Sequence, residues 1–179
     1  MSGAVREQDR STHSTHRAVS ANKGNHVSRT DGLSPSEPFR MYVRVISASL
    51  RPQEIDARLG IRADLSYARG SRKRPQSRPY GHTGWQRHVP APGPGARPED
   101  LERIVLGWGD AFARALGELS DSGDADVSLV MVQSIHDPDD GTAKGIALGA
   151  PLMAWLATAR ADLDIDQYVF HACDEPAAQ

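Results

Sequence analysis

The chain has 179 residues, 39% apolar and 25% charged, with a formal net charge of −2, a balance that suits one globular domain plus additional chain. No run approaches the ~18 consecutive apolar residues of a membrane helix, and the first residues have no apolar signal region. The single cysteine, Cys173, excludes an intramolecular disulfide and a Cys-rich zinc site and fits a reducing compartment, so a cytoplasmic protein is expected.

The net charge conceals a division. Residues 38–98 carry 12 Lys/Arg against 3 Asp/Glu, whereas residues 99–179 carry 4 against 16. Such asymmetry either marks a binding face or neutralises itself when the halves fold together.

Residues 1–38 read as a disordered tail. They hold few large apolar side chains and end in Ser34-Pro35-Ser36-Glu37-Pro38, so they bury too little to offset ordering entropy. His13, His16 and His26 are metal-ligand types, but a floppy tail pre-organises nothing. Met41 is a second candidate start. The domain is expected over 39–172, with a frayed end at 173–179.

The alternation in Met41–Ala48 predicts a strand. Ser49 is a candidate cap for a helix from Pro52, with Ile55 and Leu59 on one face and Gly60 as its stop. A short strand at 65–68, a basic loop at 69–79 and a strand at 84–89 predict a hairpin. Breakers fill 90–97. Pro98 then opens a helix in which Leu101, Ile104, Val105, Trp108, Phe112, Leu116 and Leu119 keep 3.6-residue spacing, with Glu99, Asp100 and Glu102 in its first turn. Val127–Ile135 predicts a central strand, because apolar side chains fall on both of its faces. A polar loop, a short strand near Ile146–Leu148, a helix from Pro151 and a final strand at 164–170 complete the chain. The expected fold is α+β: a single mixed sheet of about five or six strands with about three helices, in the order β-α-β-β-α-β-β-α-β. The two halves of that order look alike and hint at a pseudo-duplication, although no sequence repeat accompanies it.

Four short motifs resemble, in order, landmarks of a bacterial family catalogued as domain of unknown function 4279. They are Tyr42-Val43-Arg44-Val45, the helix Pro52–Gly60, Thr83-Gly84-Trp85, and Leu163-Asp164-Ile165-Asp166-Gln167-Tyr168-Val169. The similarity spans roughly 41–170. It implies a compact α+β fold in a small protein of accessory or immunity type, and transfers no catalytic residue.

The most conspicuous candidate surface is the loop with Arg69, Arg72, Lys73, Arg74 and Arg78, followed by Tyr80, His82, Trp85, Arg87 and His88. Cations interleaved with aromatics suit a nucleic-acid backbone with stacked bases; the same cations suit an acidic protein partner. The plainer reading is a solvated hairpin loop with Trp85 as a core anchor, alongside Trp108, Phe112 and Tyr168. His136, Asp137, Asp139 and Asp140 resemble a hard-cation loop, but Gly141 and Leu148 break the EF-hand pattern, and an acidic turn is the simpler account. His171 and Cys173 share a strand face, but Asp174 and Glu175 would raise the thiol pKa. Asp164 and Asp166 also share a face; acid–base or metal chemistry is weighed there against pairing with an arginine such as Arg44. Glycine-rich phosphate loops, HExxH and GxSxG are absent. The reading is therefore a non-catalytic interaction domain without metal or cofactor, recognising an acidic protein. Nucleic-acid binding through 69–78 and metal-assisted hydrolysis by His136, Asp137 and Asp139 are the alternatives.

Overall fold

The computed structural model describes residues 39–93, 96–137, 139 and 145–170; the expected tail at 1–38 and the end at 173–179 lie outside them. β1 (Phe39–Ser47) follows the predicted alternation. α1 (Pro52–Leu59) buries Ile55 and Leu59 and stops at Gly60, whose φ of 69° is the left-handed conformation glycine adopts without strain. Ser49 is not its cap. Pro52 takes the first helical turn, which leaves Arg51 at the N-cap, and the Arg51 N–H donates to Glu54 Oε2 at 2.6 Å. β2 (Leu65–Tyr67) and β3 (Thr83–Val89) form the predicted hairpin.

The helix expected over 98–119 is two. α2 (Pro98–Gly107) ends where the Trp108 N–H closes on the Val105 carbonyl at 3.1 Å, and α3 (Gly109–Asp121) starts at Gly109, whose φ is 81°. The apolar spacing runs on through the break and so conceals it. At the bend Trp108 meets Phe112 edge-on at 5.6 Å and Trp155 at 6.4 Å.

β4 (Asp126–Ile135), α4 (Ala150–Ala159) and β5 (Asp162–Val169) follow. The strand expected at Ile146–Leu148 is irregular chain. Both flanks of β4 are taken by β1 and β5, and the segment pairs with neither edge strand of the sheet; Ile146 and Leu148 pack half-buried against the core instead.

The five strands form one mixed sheet in the order β2-β3-β1-β4-β5. β1 lies antiparallel to both β3 and β4, with Val43 opposite Arg87 and Leu129. β4 and β5 are parallel, as a pair joined by the crossover helix α4 can be. The chain's first strand pair is antiparallel and its last is parallel, so the suggested duplication is not present in the topology.

Strand alternation sorts side chains between two faces. Met41, Val43, Val45, Trp85, Leu129 and Met131 turn toward the helices, where they are buried with Ile55, Leu101, Leu116 and Leu152. Tyr42, Val130 and Val132 form a separate small cluster on the opposite face. α3 and α4 pack closely, because Gly117 admits the Thr158 carbonyl against the α3 backbone. Among the described residues, no helix is long and apolar enough to cross a membrane.

Candidate interaction surface

The 69–82 connection is a structured loop. The Gly70 N–H donates to the Tyr80 carbonyl and the Tyr80 N–H to the Ser71 carbonyl, both at 2.8 Å; Ser71 Oγ donates to the Ala68 carbonyl at 2.6 Å; the Ser77 N–H closes a turn on Arg74 at 2.9 Å. Arg69 ties the loop to the body, with Nη1 donating to the Ala48 carbonyl at 2.9 Å and its N–H to Thr83 Oγ1 at 3.2 Å. Arg72 Nη1 reaches the carbonyls of Ser77 at 2.8 Å and Pro75 at 3.3 Å. Both arginines keep their charge and further N–H groups pointing to solvent. Lys73, Arg74 and Arg78 are exposed beside them. The structure thus gathers Arg69, Arg72, Lys73, Arg74 and Arg78 on one loop.

Arg87 does not join them. It lies on the helix-facing side of β3, with its guanidinium 5.0 Å from the centroid of the Trp108 ring, a cation–π contact that ties the sheet to the α2–α3 bend. The aromatic residues near the loop close on one another. Tyr67 stacks on Tyr80 at 4.0 Å, its hydroxyl lies 3.1 Å from His82 Nε2, and its ring fills the place a Cβ at Gly84 would take. His88 is exposed, 3.1 Å from Gln86 Oε1 and 5.5 Å from the Tyr42 ring. Of the four expected anchors, Trp85 is fully buried, Phe112 is buried, Trp108 is half-buried, and Tyr168 stands exposed on β5.

Across the sheet the chemistry changes sign. Arg44 donates from Nη2 to Asp164 Oδ2 at 2.9 Å and from Nε to Ser128 Oγ at 3.2 Å, so Asp164 has the arginine partner that strand alternation suggested. Asp166 follows two residues on, exposed. Together with Asp126 and Asp162, Arg44, Ser128 and Asp164 line an open depression of about 580 Å³. This acidic hollow was only half legible: Asp164 and Asp166 advertise themselves by alternation, whereas Asp126 opens β4, distant in sequence, and joins them only through strand pairing. A second missed residue is Glu102. It reads as a first-turn anion, but it is buried and accepts the Gly149 N–H at 3.0 Å, fixing the chain that enters α4.

The charged halves do meet. Besides Arg44–Asp164, Arg58 Nη1 binds Asp124 Oδ2 at 2.8 Å. That hydrogen bond first, then one from Ser122, holds the Asp124 carboxyl below the usual carboxylate range.

The hard-cation candidates are occupied locally. His136 stacks on Phe170 at 4.8 Å, and Asp137 Oδ1 accepts the Asp139 N–H at 2.9 Å in a tight turn. Among the described residues, no group of three or more His, Cys, Asp or Glu stands together as a metal site would require. Asp140, Gly141, His171 and Cys173 lie outside those residues.

The family model for a domain of unknown function, DUF4279, matches residues 37–170. The chain belongs to the DUF4279 family. The match covers the sheet, all four helices and both charged edges, so the DUF4279 domain and the described body coincide. No curated protein and no solved structure matches this DUF4279 chain.

Proposed function

We propose that this DUF4279 chain is a non-catalytic protein-interaction domain, of accessory or immunity type, whose β2–β3 loop receives an acidic surface of another protein. The observation that carries the reading is the loop's internal bonding. Backbone and side-chain hydrogen bonds hold Arg69, Arg72, Lys73, Arg74 and Arg78 on an ordered turn, so a partner need not order a flexible segment on docking. Four of the five cations are arginines, the residue suited to bidentate carboxylate contacts, and a concentrated positive edge steers an acidic partner into register.

A protein is favoured over nucleic acid by the neighbouring rings. Tyr67 stacks on Tyr80, lies against His82 and fills the space over Gly84, whereas single-strand binders offer open ring faces to bases. Other polar side chains serve the fold: Asp56 accepts from the Trp85 indole, and Arg44 joins Asp164.

The test compares wild type with the Arg72→Ala, Lys73→Ala, Arg74→Ala triple variant as bait in native lysate, with and without nuclease. The reading expects an acidic protein that wild type retains after nuclease treatment and the variant loses. Retention by both baits, or loss of the signal on nuclease treatment, overturns it; the latter outcome would point to nucleic acid.

A further inference from the structure

The geometry points to a second docking surface at the opposite end of the sheet: the open edge of β5 accepts an extended basic–apolar strand from another protein. Three observations converge there. β5 pairs with β4 on one side only, so among the described residues its outer edge carries backbone donors and acceptors with no neighbouring strand. The edge is also apolar: Ile165 is 41%, Val169 47%, Tyr168 50% and Phe170 40% exposed, which gathers most of the exposed large hydrophobic residues of the described body into one short segment. Third, the face of β5 turned away from the helices carries Asp162, Asp164 and Asp166 in alternation, beside Asp126 of β4.

The acidic row selects the occupant. A second copy pairing antiparallel about a two-fold axis would bring Asp162, Asp164 and Asp166 onto the face occupied by their own counterparts, and like charges opposed across strands are destabilising. Arg44 compensates Asp164 alone; neither Asp162 nor Asp166 has an ion pair or hydrogen bond among the described residues. An incoming strand with Lys or Arg at alternate positions satisfies that face. Apolar residues between them cover Leu163, Ile165 and Val169 on the other, and the backbone ladder supplies register. This is strand addition, in which main-chain bonds give affinity and alternate side chains give specificity. It is independent of the β2–β3 loop, which has the opposite charge and lies at the other edge.

The experiment uses the full chain and a fluorescein-labelled octapeptide alternating lysine with valine or isoleucine, followed by fluorescence anisotropy, with backbone amide exchange read on the same mixture. Two controls separate strand addition from plain charge attraction: a block-ordered peptide of the same composition, and the alternating peptide with its central amides N-methylated. The expected result is saturable binding of the alternating peptide, slower exchange within 162–169, and at least tenfold weaker binding of both controls. The exposed-site double variant Asp162→Asn, Asp166→Asn should weaken binding about fivefold, the scale of two cross-strand ion pairs. Equal affinity for all three peptides overturns the proposal, as does unchanged exchange in 162–169, indifference to the double variant, or a concentration-dependent dimer that protects the same strand.

Discussion

Replacing Gly117 by alanine sets helix propensity against packing, and the structure decides the sign. Gly117 lies inside α3, where alanine is favoured by about 1 kcal/mol. Its face, however, abuts α4: a Cβ at residue 117 would stand 2.5 Å from the Thr158 carbonyl oxygen, whereas a carbon–oxygen contact relaxes at roughly 3.3 Å. The obstacle is backbone, so relief requires α4 to retreat by most of an ångström. α4 carries Leu152, Trp155, Leu156 and Ala159 into the core, and a gap of that size forfeits about a quarter to a half of each affected contact. Overpacking of this kind costs about 1–3 kcal/mol, which against a propensity gain of about 1 kcal/mol leaves a net loss centred near 1 kcal/mol and reaching about 2 kcal/mol. For a domain of this size that lowers Tm by roughly 5 °C. Urea and thermal unfolding can be followed through the intrinsic fluorescence of Trp85, Trp108 and Trp155. Gly107→Ala is the internal control: it closes α2 with no heavy atom near its missing Cβ, so it should leave stability unchanged or raise it by up to about 0.5 kcal/mol. A Gly117→Ala variant melting at or above the wild-type temperature would refute the packing argument.

Asp56→Ala should cost about 1–3 kcal/mol, because the fully buried Trp85 loses the acceptor of its indole N–H at 2.8 Å and the Ala63 N–H loses the same oxygen; an unchanged urea midpoint would contradict this. Gly109→Ala should cost about 1–2 kcal/mol, since residue 109 holds φ at 81° where a Cβ is strained, and a midpoint equal to that of Gly107→Ala would argue otherwise. Asp124→Asn tests a pH dependence. Arg58 and Ser122 lower the folded-state pKa of Asp124 below its unfolded value, so its contribution is fully present above about pH 4 and is lost as pH falls through the lowered value. The stability gap between wild type and variant should therefore close in acid, and a gap that widens below pH 4 would overturn the assignment.

What could be read in the sequence was whatever obeys a local period. β1 and β4 follow the alternation of Met41, Val43 and Val45 and of Leu129 and Met131, and α1 ends where Gly60 stops it. The break at Gly109 escaped because Trp108 and Phe112 keep helical spacing on either side of it, so their pattern is the same for one helix or two. Ile146–Leu148 misled for the converse reason. Its residues suit a strand, but a strand needs a neighbour, and which edges are free is a property of the sheet order. The loop cations were visible as a cluster, but the departure of Arg87 toward Trp108 depends on which face of β3 it occupies, and that follows from the register with β1. Strand alternation did anticipate the Arg44–Asp164 pair, because both residues lie on the face away from the helices.

The charge division acquires its meaning from the sheet order. Residues 39–89 build α1, β1, β2 and β3, and residues 98–169 build the rest, so the basic and acidic halves lie side by side and join at the β1–β4 ladder. Arg44–Asp164 and Arg58–Asp124 bridge that junction. Concentrations of one sign lie outward, in the loop after β2 at one edge and on β5 at the other. Four strand spacings separate those edges by roughly 19 Å, about twice the screening length at physiological salt. Neither edge therefore neutralises the other, although the whole molecule is nearly neutral. A partner approaching along either edge meets a field of one sign, and removing the cations of Arg72, Lys73 and Arg74 should leave recognition at β5 intact. That independence is what separates two docking edges from a single polar molecule with a large dipole, in which neutralising one end would weaken attraction at the other.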